Sequence, residues 1–179
     1  GVYVVGHFAQ RVDFDPGPDE DSRSTLFTGL WDVFLVKLTA NGEYQWVRTF
    51  GSNGDDGANC GAVDQQGRIV VGGYFENIML VNPFCEADTR RSAGGKDAFI
   101  AAYASDGARL WTRTFGGSYT DTVTALALDQ SGQIYIAGYF SETVDFDPGK
   151  GEAQLRSNGG SDVFALSLSP DGEYNWAFS

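Results

Sequence analysis

Apolar residues come in short runs along this chain, and four of them follow one another between Thr122 and Phe178. The first is Val123-Thr124-Ala125-Leu126-Ala127-Leu128 and the second is Ile134-Tyr135-Ile136-Ala137-Gly138-Tyr139-Phe140. The third is Val163-Phe164-Ala165-Leu166-Ser167-Leu168 and the fourth is Glu173-Tyr174-Asn175-Trp176-Ala177-Phe178. Turns with Gly132 and Gly172 separate the first from the second and the third from the fourth. A longer excursion through Val144-Asp145-Phe146-Asp147-Pro148-Gly149 joins the second to the third. No stretch keeps a helical period long enough to compete, so the pattern predicts four β-strands, A to D, with tight turns inside the pairs.

The rest of the chain repeats this unit. Asp32, Asp97 and Asp162 stand 65 residues apart, as do Trp46, Trp111 and Trp176 and the turn residues Gly42, Gly107 and Gly172. Gly73 and Gly138 keep the same spacing, whereas Gly6 lies 67 before Gly73; the two extra residues fall between Gly17 and Asp32, which places that segment in a surface loop. Gly1 aligns with Arg68 and Gln133, at the start of strand B. The chain therefore predicts strands BCD, ABCD and ABCD, over residues 1–50, 51–115 and 116–179.

Strand C is apolar on both faces: Val33 and Leu35 point one way, Phe34, Val36 and Leu38 the other. A small sheet of this kind cannot bury two faces by itself, and stacking copies side by side is the way out. The fold class expected is all-β, with about three four-stranded antiparallel sheets arranged as β-propeller blades. The first lacks its strand A, and the whole is expected to be part of a larger or oligomeric propeller. Open faces and an unpaired strand edge at Val2–Phe8 predict partners: further blades of the same polypeptide or other copies of the chain.

The stretch Ala127-Leu128-Asp129-Gln130-Ser131-Gly132-Gln133-Ile134-Tyr135-Ile136-Ala137-Gly138, and the one from Asp97 through Gly107 to Trp111, resemble the seven-bladed β-propeller (SBBP-type) repeat family. The resemblance covers nearly the whole chain. It implies a propeller fold and a secreted or bacterial cell-surface location, and no particular reaction. The Val-Asp-Phe-Asp-Pro-Gly excursion is similar to variants on large bacterial surface proteins.

Composition narrows the functions. A net charge of −12 without a Lys/Arg cluster argues against nucleic acid and anionic lipid, and favours cations. No apolar run is long enough for a membrane span. Cys60 and Cys85 have no counterparts in the other copies; one bridge or two thiols both remain open.

The candidate chemistry is acidic. Asp13 and Asp15, and again Asp145 and Asp147, flank a Phe ahead of Pro-Gly. They could hold Ca²⁺ if oxygens from Glu20, Glu152, Asp32 or Asp162 joined them. The alternative is an Asx turn in which the carboxylates accept backbone N–H groups. The middle copy, Leu80-Val81-Asn82-Pro83, keeps the Pro and loses both carboxylates. Asp32, Asp97 and Asp162, present in every copy, are expected to cap loop N–H groups. His7 replaces Tyr74 and Tyr139 and is read as a packed or surface ring. The three tryptophans are expected to be equally buried. The function expected is non-catalytic: a secreted or cell-surface module for structural assembly or for binding protein or glycan, with Ca²⁺ as a stabilising cofactor. The alternative is part of an enzyme or carbohydrate-binding propeller whose site lies in other blades.

Overall fold

The computed structural model describes residues 1–81 and 88–179, and among them every regular element is a β-strand. The first sheet consists of β1 (Val2–Ala9), β4 (Trp31–Leu38) and β5 (Tyr44–Phe50). Between them lies a two-stranded ribbon, β2 (Arg11–Asp13) with β3 (Ser22–Ser24). The second sheet runs in the order β6 (Gly57–Val63), β7 (Ile69–Leu80), β8 (Thr89–Tyr103), β9 (Arg109–Phe115). The third runs β10 (Thr122–Leu128), β11 (Ile134–Asp145), β12 (Gln154–Leu168), β13 (Tyr174–Phe178). Neighbouring strands are antiparallel throughout, so these are propeller-type blades in which the first lacks strand A.

The turns follow from residue type. Gly42, Gly107 and Gly172 take positive φ of 85°, 82° and 77°, and each N–H closes back onto the carbonyl of Thr39, Ala104 or Ser169. Strand B meets strand A so closely that a Cβ on Gly73 or Gly138 would overlap the Gly57 or Thr122 carbonyl. The register shifts one or two residues further on, at Ala58/Cys60 and Val123/Ala125, as the strand-interior glycine predicts.

The excursion between strands B and C is more ordered than the loop expected. In the second and third sheets both strands continue past a register shift, so that Met79 pairs with Arg90 and Val144 with Leu155. The shift sits at Asn77 and Glu142, whose φ values of 64° and 60° lie in the left-handed region; Gln10, at 61°, holds the same place in the first copy. A left-handed non-glycine residue at one position of every repeat marks a built pivot, from which the ribbon folds back over its own sheet.

The sheets stack face to face. For each sheet, the front face is the one turned to the preceding sheet and the back face the one turned to the following sheet. Val33 and Leu35 on the back of the first sheet pack with Ile69, Val71, Phe99 and Tyr103 on the front of the second. Val70, Ala98, Ile100 and Ala102 on the back of the second pack with Ile134, Ile136, Phe164 and Leu168 on the front of the third. These two joints are the core, and the strand B and C residues just named are buried in them.

Candidate functional site

The acidic excursions are turns in both copies, built alike. Asp13 Oδ1 accepts hydrogen bonds from the N–H groups of Asp15 (3.1 Å) and Asp21 (3.0 Å), and Asp15 Oδ1 accepts from Gly17 N–H (2.7 Å). Asp145 Oδ1 accepts from Asp147 (3.0 Å) and Ala153 (2.9 Å), and Asp147 Oδ1 from Gly149 (2.7 Å). The Phe between each pair is the reason for the geometry. Phe146 is fully buried, with its ring centroid 4.8 Å from Phe164 and 5.3 Å from both Phe115 and Phe140. Phe14 sits likewise 5.2 Å from Phe8 and 5.1 Å from Phe34. Val81 takes this place in the second sheet and is also buried.

The oxygens that would complete a cation shell are engaged elsewhere. Glu20 holds Arg11 and the Ser22 hydroxyl, and Glu152 accepts from Gln154. Asp32 and Asp162 hold their own loops. Among the described residues no group of three or more His, Cys, Asp or Glu side chains converges. Asn82 and Cys85, and with them the middle-copy turn and the pairing of Cys85 with Cys60, lie outside the described residues. Cys60 Sγ is 3.6 Å from the Gly72 carbonyl, and burial pushes its thiol pKa up to about 11. The His7 ring stands edge-on against Trp31, 4.9 Å away, as a surface ring.

Asp32, Asp97 and Asp162 do cap loops: the Oδ2 of each accepts from the N–H of Leu26 (2.8 Å), Ala93 (3.0 Å) or Asn158 (2.6 Å). Their pairing with a second acid was not legible in the sequence, where Asp56 and Asp121 read as part of a Gly-rich turn leading to the next strand A. Asp56 and Asp121 follow Asp32 and Asp97 by 24 residues and immediately precede strand A of the next sheet, so each joint carries two acids. Asp56 ties its joint together by accepting from Ser52 N–H (2.5 Å) and Glu76 N–H (3.2 Å); Asp121 accepts from Gly117 (2.7 Å) and Ser141 (3.0 Å). Asp32 Oδ1 and Asp97 Oδ1 are buried with no hydrogen-bond partner, pressed against Gly51 and Gly116, where a Cβ would overlap the carboxylate. Loss of water pushes Asp56 up to about 7, with the Asp32 charge adding to it, and Asp97 up to about 6, with the Asp121 charge adding. Burial raises Asp32 and Asp121 as well.

Also missed was a cationic clamp, legible in the same 65-residue period as Trp46-Val47-Arg48 and Trp111-Thr112-Arg113. Arg48 lies over the Trp46 ring, 5.0 Å from its centroid, and donates to the carbonyls of Gly107 and Asp106 in the C–D turn of the next sheet (both 3.0 Å). Arg113 lies over Trp111 at 5.6 Å and donates to Gly172 (3.0 Å) and Asp171 (3.2 Å). Lys37 reaches the Ser105 carbonyl across the first joint; Arg68 and the Trp111 indole N–H (3.2 Å) reach Pro170 across the second. In the third copy Phe178 stands where the arginine would be. It stacks on Trp176 with centroids 5.2 Å apart and planes 15° apart.

This corrects the expectation of equal tryptophans. Trp46 and Trp111 are half-buried beneath the following sheet, whereas Trp176 is 41% exposed. The back face of the third sheet is open: Tyr135 is 40%, Val163 70% and Phe178 58% exposed, and Tyr135 and Trp176 line a shallow apolar groove of about 310 Å³. On the front of the first sheet Val2 and Val4 are 47% and 41% exposed.

No protein-family model matches the chain. Over 98% of its length it is 24% identical to the uncharacterized WD repeat-containing protein L264 of Acanthamoeba polyphaga mimivirus, covering 14% of that protein. Over 78% of its length it is 29% identical to the regulatory protein FlaEY of Caulobacter vibrioides, covering 13% of that one. The chain thus spans about a seventh of the length of these relatives. The WD repeat-containing relative and the blade-like sheets agree on a β-propeller-type repeat protein.

Proposed function

We propose that this chain is a non-catalytic β-propeller-type module for structural assembly and protein interaction, acting through the faces of its sheets. The observation that carries the reading is the open back face of the third sheet. Tyr135 and Val163 occupy the places of Val70 and Ala98, which are fully buried against a neighbouring sheet. A contiguous apolar surface of this kind marks an interface. The aromatic set Tyr135, Trp176 and Phe178 would suit a carbohydrate platform, and its equivalence to a buried joint favours protein instead.

A secreted or cell-surface site of action rests on the resemblance of Ala127–Gly138 and Asp97–Trp111 to SBBP-type repeats. Ca²⁺ would be held by the oxygens that the turns leave over, Oδ2 of Asp13, Asp15, Asp145 and Asp147. Titration calorimetry is expected to give a Ca²⁺ heat that Asp13→Ala with Asp145→Ala removes; no heat in the unaltered protein would leave these acids as turn formers alone. Labelling intact cells with a membrane-impermeant amine reagent checks the location.

The central test places a photo-cross-linking residue at Tyr135, at Val4 or, as a control, at the exposed Tyr119. Protein adducts are expected at the two face positions and not at the control. Adducts no more frequent than at Tyr119 would overturn the reading.

A further inference from the structure

We infer that the back face of the third sheet receives the front face of the first sheet of a second copy, so that copies of this chain join head to tail. The inference rests on the interaction reading above and names the partner.

The two halves of one joint are both present on this chain: the back half is open, and the front half is open at Val2 and Val4. The internal joints define what those halves are. A back face offers the side chains at Tyr3, Val5, Val33 and Leu35, and a front face answers with Ile69, Val71, Phe99 and Tyr103. The second joint repeats this one repeat later, with Val70, Ala98 and Ile100 against Ile134, Ile136 and Phe164. Advancing once more, the back-face positions become Tyr135, Ala137, Val163 and Ala165, which no sheet covers. Stepping back from the second sheet, the front-face positions become Val2, Val4, Phe34 and Val36. Phe14 already covers Phe34 and Val36 is itself buried, so Val2 and Val4 form the part left to a partner. The contact is heterologous: the same step that relates one sheet to the next would relate one copy to the next.

The new joint would differ from the internal ones in two ways, both of which weaken it. The front of the first sheet has no strand corresponding to β6 or β10, and those strands help to close the internal joints, as when Asn59 Nδ2 donates to the Val123 carbonyl (2.8 Å). The clamp is also absent. Phe178 replaces Arg48 and Arg113, and Gln133 replaces Arg68, so the carbonyls of Asn41 and Gly42 in the partner's C–D turn would have no guanidinium. Apolar contact and the Trp176 indole N–H remain. Association is therefore reversible and concentration-dependent, unlike the joints within the chain.

Sedimentation velocity on the 179-residue chain from micromolar to millimolar concentration tests this. The mass is expected to rise with concentration. Tyr135→Glu and Val4→Glu should each abolish the rise, because a buried unpaired carboxylate is costly. Mixing the two variants should restore a one-to-one dimer and nothing larger, since each keeps one sound face. Phe178→Arg should rebuild the clamp and lower the dissociation constant by about tenfold, the equivalent of about 1.4 kcal/mol. Where either glutamate variant melts far below the parent chain, Val163→Glu and Val2→Glu replace the pair. A folded chain that stays monomeric throughout overturns the inference, as does self-association that survives both face variants or is not restored by mixing. Photo-adducts to other proteins from a monomeric chain would overturn it while leaving the interaction reading intact.

Discussion

The second and third sheets have the same strands, the same tight turns between A and B and between C and D, and the same spacing of tryptophans, and they differ in what lies behind them. Behind the second sheet Ala98 is fully buried, Trp111 is half-covered with its indole N–H bonded, and Arg113 is drawn onto the next turn. Behind the third sheet the equivalent positions are Val163, Trp176 and Phe178, all exposed. The lesson is that a position within the repeat decides which way a side chain points, while the neighbouring sheet decides whether that direction is an interior. Burial here is a property of joints and not of single sheets.

The largest effect that would sharpen this contrast is a cavity. Phe99→Ala in the first joint is expected to cost about 3–5 kcal/mol by chemical denaturation. Val163→Ala, on the uncovered face, should stay within about 0.5 kcal/mol. Similar costs at the two sites would mean that the third sheet is covered in solution.

Acidity comes next, because the paired acids exist only where two sheets meet. Asp56 and Asp97 bind their protons more tightly in the folded chain than in the unfolded one, where a carboxyl titrates near about 4. Between about pH 4 and pH 7 the folded state therefore holds more protons, and stability falls as pH rises, then levels off above that window. Denaturation at pH 5 and pH 8 is expected to differ by an amount on the order of 2 kcal/mol, and Asp56→Asn with Asp97→Asn should flatten the profile. An unchanged slope in the double variant would assign it to other groups.

Of smaller size, Trp111→Ala should cost on the order of 2 kcal/mol, since half of that indole is already wet, and Trp176→Ala less than about 1. Smallest of all, Arg113→Ala should cost about 1 kcal/mol through its lost carbonyl contacts, with Phe178→Ala near zero in dilute monomer. Equal losses for the two tryptophans would break the comparison outright.

Much of the architecture could be read directly. The 65-residue spacing placed the strands, and the turn glycines and the loop-capping Asp32, Asp97 and Asp162 behave as their residue types require. The ribbons were not legible. Glu76-Asn77 and Ser141-Glu142 fall in the excursion beyond strand B, where a left-handed non-glycine pivot carries no compositional mark. The acidic turns drew notice through their carboxylates, whereas the half-buried Phe14 and the buried Phe146 between them organise the structure. Asp56, Asp121, Arg48 and Arg113 had been available in the period all along. Their roles needed two sheets in view, since Arg48 and Arg113 act on a turn of the next copy, while Asp56 and Asp121 face an acid of the preceding one.

Every joint is assembled from the back of one copy and the front of the next, and this has a consequence for how such chains change length. Inserting a whole repeat in register, or deleting one, leaves each surviving junction with a matching pair of faces. A duplicated segment therefore arrives already compatible with both of its new neighbours. The cost of lengthening falls on no particular contact, and a protein built this way can vary its number of units in single steps. The substitution of Phe178 for arginine is the kind of small change that would make one junction distinguishable from the others, and so give an otherwise uniform series a place to separate.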